Sequence, residues 1–344
     1  MNINYNKLIL VLAVFFIAFS SSFAGPRTKL GTMAAPELLI PLGSISTSLQ
    51  GSNLSSVTGV DAMFWNPAGM SQITSNHGEF MASYMNYFAD MKMEYVAGAV
   101  KLGSLGVLGA SIRSLNFGEG IKVATETSPE GTGEIINPIY LIGNIGFARS
   151  MTDRVMFGAN VKLISERIGQ VSASDYSFDF GLQYIAGQSG LRFGIALKNL
   201  GPQLTFDGPG LDRQFTENGN VVVRRVDLQS FDLPTTLEIG LSYSKTFSKS
   251  NTVSLATTFM NNGFSSDEYR FGLEYNYKNY VFLRGAFTVF PDKLANESLF
   301  GPSFGAGLQY PLGTMTVGFN YAYRIINEKG FNSTNQFLTL NVGF

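Results

Sequence analysis

Tyr269, Phe271, Leu273, Tyr275 and Tyr277 alternate without a break with Arg270, Gly272, Glu274, Asn276 and Lys278. A period of two over that length places every apolar group on one side of an extended strand, and no helix gathers such a pattern on one face. Tyr176, Phe178, Phe180, Leu182 and Tyr184 repeat it against Asp175, Ser177, Asp179, Gly181 and Gln183. Met315, Val317, Phe319, Tyr321 and Tyr323 do so against Thr314, Thr316, Gly318, Asn320 and Ala322, the smaller and more polar set being the one expected to face a lumen. Such segments run at about 79–88, 91–102, 105–117, 138–150, 154–168, 174–185, 191–200, 235–247, 251–261, 266–277, 280–290, 299–310, 313–326 and 335–344. Most are longer than the roughly 5–6 residues usual in soluble strands and match the ~10 that cross a bilayer at a tilt. The expected fold is all-β: a transmembrane antiparallel β-barrel of about 14 strands.

The chain is 45% hydrophobic and 13% aromatic, yet beyond Ala24 no apolar run is long enough for a membrane-spanning helix. At a net charge of -1 no basic face suggests nucleic acid as a partner. With no cysteine and a single histidine, His77, there are no disulfides, thiolate nucleophiles or histidine clusters for a metal. Asp175 and Asp179 lie on one side of a strand, but two carboxylates facing a wet lumen read better as solvated charges than as an acid–base pair. Neither catalysis nor a cofactor is expected. Gly98, Gly103, Gly106 and Gly109 read as bends and bulges, since no helix follows them to form a nucleotide-binding loop.

Residues 1–24 have the three parts of a secretory signal peptide: a short polar start with Lys7, the apolar run Leu8 to Phe19, and Ser22-Phe23-Ala24 before the cut. At the other end Leu338, Leu340, Val342 and Phe344 share one side of a strand that stops on an aromatic, and Leu340, Val342 and Phe344 are the candidate barrel-assembly signal. Short turns at 103–104, 152–153, 187–190, 248–250, 278–279 and 311–312 alternate with mostly longer links. That is the plan of a bacterial outer-membrane barrel with periplasmic termini, whose first partner is outer-membrane lipid.

Residues 25–76 lack the period of two and form a separate element ahead of the barrel at 77–344. Within it Trp65, Asn66, Pro67, Ala68 and Gly69 are the candidate plug motif. Pro67 fixes its own dihedral, Asn66 is pushed out of helical space, and Gly69 permits a tight bend. The link 201–234 is long and charged; Phe206, Asp207, Asp212, Arg213, Arg224 and Arg225 make it the candidate partner-binding loop, with 118–137 beside it.

Pro36-Glu37-Leu38-Leu39-Ile40-Pro41-Leu42-Gly43, then Asp61 to Met70 with its Trp-Asn-Pro-Ala-Gly core, resemble the PorV/PorQ family of outer-membrane proteins, relatives of the FadL fatty-acid channel. Leu197-Lys198-Asn199-Leu200-Gly201-Pro202, Leu233-Pro234 and Gly240-Leu241-Ser242-Tyr243 look like the same family's pieces, although Ser44 to Ser48 replace its usual Arg and Gly-Gly pattern. The resemblance implies a fourteen-stranded barrel whose lumen is partly closed by the segment carrying Asn66-Pro67-Ala68. It further implies a part in type IX secretion, binding a cargo's C-terminal domain or an attachment component. The alternative is a FadL-like channel for long-chain fatty acids or other hydrophobic small molecules.

Overall fold

The computed structural model describes residues 31–87, 90–217, 220–291, 300–326 and 334–344; the expected signal peptide lies outside them. The strands in chain order are β1 (Gly78–Asn86), β2 (Lys92–Lys101), β3 (Val107–Asn116), β4 (Ile121–Lys122), β5 (Ile135–Ile136), β6 (Ile139–Ser150), β7 (Val155–Ile168), β8 (Val171–Ile185) and β9 (Leu191–Leu200). They continue with β10 (Asp212–Glu217), β11 (Asn220–Arg225), β12 (Thr236–Ser248), β13 (Asn251–Asn262), β14 (Glu268–Tyr277), β15 (Val281–Val289), β16 (Phe300–Leu312), β17 (Met315–Ile326) and β18 (Thr334–Gly343). Fourteen of them close into one antiparallel barrel, and β4–β5 and β10–β11 are separate two-stranded ribbons within the long loops. Closure runs through β1 and β18, from Glu79↔Gly343 to Asn86↔Gln336, so the barrel leaves no open sheet edge to hydrocarbon.

Alternation sorts the side chains as the sequence requires. Phe180, Leu182, Ile145, Leu163, Phe319 and Leu340 are exposed on the outer face, while Ser177, Asp179, Gln183 and Asn320 are buried inside. Lys278 and Asn279 both have positive φ, 52° and 58°, the geometry of a two-residue turn whose twist matches a hairpin. The turn expected at 311–312 lies instead at Gly313 and Thr314, with Gly313 at φ 63° and Pro311 inside β16. Pro311 is tolerated there because the β15–β16 ladder stops at Leu308 and β16 has only β17 beside it.

Residues 31–76 occupy the lumen. Short helical pieces follow one another: a 3-10 turn at Pro36–Leu39, α1 (Ser44–Ser48), α2 (Ala62–Trp65) and a 3-10 stretch at Pro67–Gln72. Ala34 N–H donates to the Asp232 carbonyl at 3.0 Å near the long loops, and Ser75 Oγ donates to the Gly78 carbonyl at 2.6 Å at the short-turn end. This inner segment therefore runs the length of the barrel. Inward-facing strand glycines make room for it: a Cβ added at Gly158 would lie 2.3 Å from the Pro67 carbonyl carbon, and one at Gly272 would lie 2.1 Å from Ser52 Oγ.

That contact corrects the reading of the glycines as bends. Gly109 faces inward onto Met70 and Met63, and Gly98 sits in unbroken register between Phe80 and Ala110. Only Gly103 and Gly106 are turn residues, with φ of 62° and 138°.

Candidate functional site

Among the described residues, two large cavities lie in the lumen, on opposite sides of the stretch 44–53. The outer one, toward the long loops, is about 430 Å³ and is walled by Leu38, Ile40, Phe64, Trp65, Met260 and Phe300, with Lys198, Arg270 and Arg324 and the carboxylates of Glu238 and Glu268 among them. The inner one, toward the short turns, is about 620 Å³ and polar, lined by Asp61, Glu79, Arg192, Glu274, Arg284 and Asn320 with other Asn, Ser and Thr side chains. Thr47, Gln50 and Trp65 face the outer cavity, whereas Ile45, Leu49 and Asn53 face the inner.

Asn66 fixes the motif beside this partition. Its φ/ψ of -154°/102° is the extended geometry that a following proline imposes, and its Oδ1 accepts from Ala68 N–H at 3.2 Å. Its Nδ2 donates to the carbonyls of Leu54 (3.1 Å) and, on the barrel wall, Leu182 (3.2 Å). Gly69 serves close approach more than a bend: a Cβ there would lie 2.1 Å from the Val57 carbonyl oxygen. Trp65 donates from Nε1 to the Leu42 carbonyl at 3.0 Å and meets Phe64 edge to face, centroids 4.9 Å apart. All five predicted plug residues are buried inside the barrel.

A bulge in β9 supplies the charges around that aromatic pair. Register slips between Phe178 and Phe180, Asn199 adopts φ 59°, and Lys198 and Asn199 both end up buried in the interior. Lys198 Nζ lies 3.0 Å from Glu238 Oε1 and 4.7 Å from the Phe64 ring centroid. Asn199 accepts from Lys162 Nζ at 2.8 Å and donates its N–H to Asp179 Oδ1 at 2.8 Å. Asp179 is thus a fully buried ion-pair partner, with Lys162 Nζ 2.6 Å from its Oδ2, and not the solvated lumen charge expected from sequence. The wall is lined by the inner segment, which excludes the water that expectation assumed.

In the inner segment Asp61 accepts from the Ser46 hydroxyl, and its Oδ1 lies against Gly43. Burial pushes its carboxyl up to about 6, against the pull of Ser46 and Arg284. Burial likewise raises Glu37, near Arg113 and Glu166.

The wall beside the outer cavity is incompletely laced. The β15–β16 ladder ends at Ala286↔Ser303, and the β16–β17 register shifts between Phe300 and Ser303, so Gly301 and Pro302 belong to neither ladder. Pro302 has no N–H to give. Gln50, at φ 51°, reaches this gap: its Nε2 donates to the Gly301 carbonyl at 2.9 Å and approaches that of Ala286 at 3.5 Å, while its Oε1 accepts from Thr288.

The other predicted residues fall elsewhere. Leu340 is on the outer face of β18 with Val342 beyond it, and Phe344 closes the seam, exchanging hydrogen bonds with Gly78 (3.0 Å) and accepting from His77 N–H at 2.7 Å. Asp207, Asp212 and Arg225 form an exposed ion-pair group, with Arg225 Nε 2.7 Å from Asp212 Oδ1 and Nη1 3.2 Å from Asp207 Oδ1. Phe206 packs beneath the loop against a buried cluster of Leu38, Ile142, Leu204 and Leu233. Arg213 and Arg224 face each other across the β10–β11 ribbon. Of these, only Val342 lines a cavity, the inner one. Gln50, Lys198, Glu238 and Arg270 line the outer one, and only the Lys198-Asn199 pair broke strand alternation visibly enough to mark an irregularity.

No protein-family model matches the sequence, and no curated protein does. Among solved structures, the CymD monoaromatic hydrocarbon channel superposes with a TM-score of 0.54 at 13% identity, covering 88% of this chain and 97% of its own. The P. putida toluene transporter TodX gives 0.53 at 14% identity over the same shares. At such identity the likeness is one of fold. The chain is an outer-membrane β-barrel sharing the architecture of those two channels, with fourteen strands closed around a segment of its own N-terminal part.

Proposed function

We propose that this barrel is a FadL-like channel that carries hydrophobic small molecules through the outer membrane. The observation that carries the reading is the outer cavity: a chamber facing the long loops whose aromatic and aliphatic wall also holds Lys198, Glu238, Glu268, Arg270 and Arg324, divided from a more polar one by the stretch 44–53. An apolar solute is favoured in the first and disfavoured in the second, at roughly 25 cal/mol per Å² of apolar surface kept from water. In this reading residues 25–76 act as a plug, Trp65 to Gly69 are its fixed core, and the gap latched by Gln50 beside Gly301 and Pro302 is the weak point of the wall. The fold shared with two hydrocarbon channels supports it.

Trp65 is the only tryptophan and lines the outer cavity, which gives a direct test. Toluene-like aromatics or brominated long-chain fatty acids should quench its emission in the purified barrel, and proteoliposomes should take up the same compounds faster than protein-free vesicles. Absence of both effects overturns the reading.

A second reading, docking of a secreted protein's C-terminal domain or of an attachment component as in type IX secretion, is favoured by the β10–β11 ribbon. It displays Phe215, Val221 and Val223 exposed beside Arg213 and Arg224. Shortening residues 206–230 in the native host separates the two: loss of surface delivery with solute uptake intact favours docking, and unchanged delivery favours the channel alone.

A further inference from the structure

The short-turn edge of the barrel is strongly basic. The turns joining β2–β3, β6–β7, β12–β13 and β14–β15 carry, with the strand ends beside them, Lys101, Arg149, Arg154, Lys245, Lys249 and Lys278 against the carboxylate of Asp153 and, at the neighbouring start of β1, that of Glu79, which attracts Lys101. The opposite edge is different: the link 117–138 alone holds Glu119, Glu126, Glu130 and Glu134 against Lys122. All six cations are exposed, and among the described residues none makes an ion pair. Like charges left unneutralised around one rim repel one another, so a rim of this kind is stabilised by an anionic partner.

Placement says which partner. Arg149 and Lys245 lie on the outward, lipid-facing parity of their strands, two positions beyond Phe147 and Tyr243 respectively, where a side chain reaches headgroups. Large apolar groups stand exposed among the cations: Leu105, Met151 and Phe247, at 64%, 63% and 65%. Lys245 Nζ sits 5.3 Å from the Phe247 ring centroid and Lys278 Nζ 5.5 Å from that of Tyr277, so cation and apolar group share one depth. A soluble acidic protein would meet the tips of the turns; it would not need cations on the outward strand face. Short turns of bacterial barrels face the periplasm, where the leaflet is built of phospholipid.

We infer that this rim is a binding surface for anionic phospholipid headgroups of the periplasmic leaflet, in two arcs: Lys101, Arg149 and Arg154 along β2–β7, and Lys245, Lys249 and Lys278 along β12–β15. The phosphate diester is the recognised group, and Leu105, Met151, Phe247 and Tyr277 hold the acyl chains beside it.

The test uses the full-length barrel in nanodiscs of mixed phosphatidylglycerol and phosphatidylcholine, with the retained lipid identified after partial delipidation. The wild type should be enriched in phosphatidylglycerol at low salt, and the preference should fall about fivefold for each cation replaced by Gln and largely vanish by about 0.5 M salt. The K245Q/K249Q/K278Q variant alters one arc alone, and heat-modifiable migration confirms that it folds. Equal lipid composition around the wild type and the variant lacking all six cations overturns the inference. So does an unchanged phosphatidylglycerol shell in a variant that loses an acidic periplasmic protein retained by the wild type.

Discussion

Lys162 Nζ lies 2.6 Å from Asp179 Oδ2 with both side chains buried, 3% and 0% exposed, at the boundary between the β7–β8 wall and the inner segment. Asn160 ties the same carboxylate to the segment: its Nδ2 donates to the Met63 carbonyl at 2.7 Å and approaches Asp179 Oδ2 at 3.4 Å. Removing one partner leaves an uncompensated buried charge. Asp179→Ala should therefore cost about 3–5 kcal/mol in reversible unfolding from detergent or bilayer, whereas Lys162→Met with Asp179→Leu should recover most of that loss. Equal stabilities for the single and double variants would show that the pair carries no such penalty.

The inward glycines predict a different kind of damage. At Gly181 a Cβ would fall 2.1 Å from Asn66 Oδ1 and 2.8 Å from Pro67 Cδ, so Gly181→Val should push the plug motif out of its seat while the wall keeps its ladder. Expected results are a red-shifted Trp65 emission and faster liposome swelling with small sugars, at unchanged heat-modifiable migration. Replacing the outward Gly98, where only the Glu79 carbonyl comes within 4 Å, at 3.8 Å, should leave all three as they were.

Asp61 makes the inner segment sensitive to acidity in a defined direction. Its carboxyl, at about 6 when folded against 3.8 unperturbed, binds its proton more tightly in the folded state. The stability this brings is present below pH ~4 and lost as pH rises through ~6, up to about 3 kcal/mol. Trp65 emission followed in urea should report a firmer segment at pH 4.5 than at pH 7.5. Asp61→Asn should flatten that difference and raise the midpoint at pH 7.5.

Deleting Phe344 removes the N–H and C=O that meet Gly78 and the carbonyl that accepts from His77. Backbone groups unpaired in lipid are costly, so the deletion should reduce assembled barrel several-fold in membranes, read as loss of the heat-modifiable band. Wild-type levels of assembly would remove Phe344 from the closure step.

Strand parity and number were legible because each spanning strand must satisfy lipid and interior separately, as the run from Tyr269 to Lys278 shows. The inner segment was legible as a break in that period, and the Asn66-Pro67 geometry followed from proline sterics. The cavities were not, since they depend on which lumen groups the segment covers: Asp179 looks the same in sequence whether solvated or paired to Lys162. Gln50 gave no signal, because its bonds to Gly301 and Thr288 join residues far apart in the chain. The β10–β11 ribbon was hidden in a charged stretch whose alternation, Val221 to Val223, is short and unbroken by polar groups.

Because the inner segment enters beside Asp232 at one mouth and leaves at Ser75 at the other, the barrel is a ring closed around its own thread. The seam that completes it, β1 with β18, joins the first and last strands of the wall. An antiparallel hairpin needs only its neighbour, but this seam waits for the whole wall, the most distant pairing the topology demands. We therefore expect assembly to be a capture event, with the thread laid in place while the sheet is still open, so that whatever machinery zips the last ladder acts on a chain whose interior is already furnished.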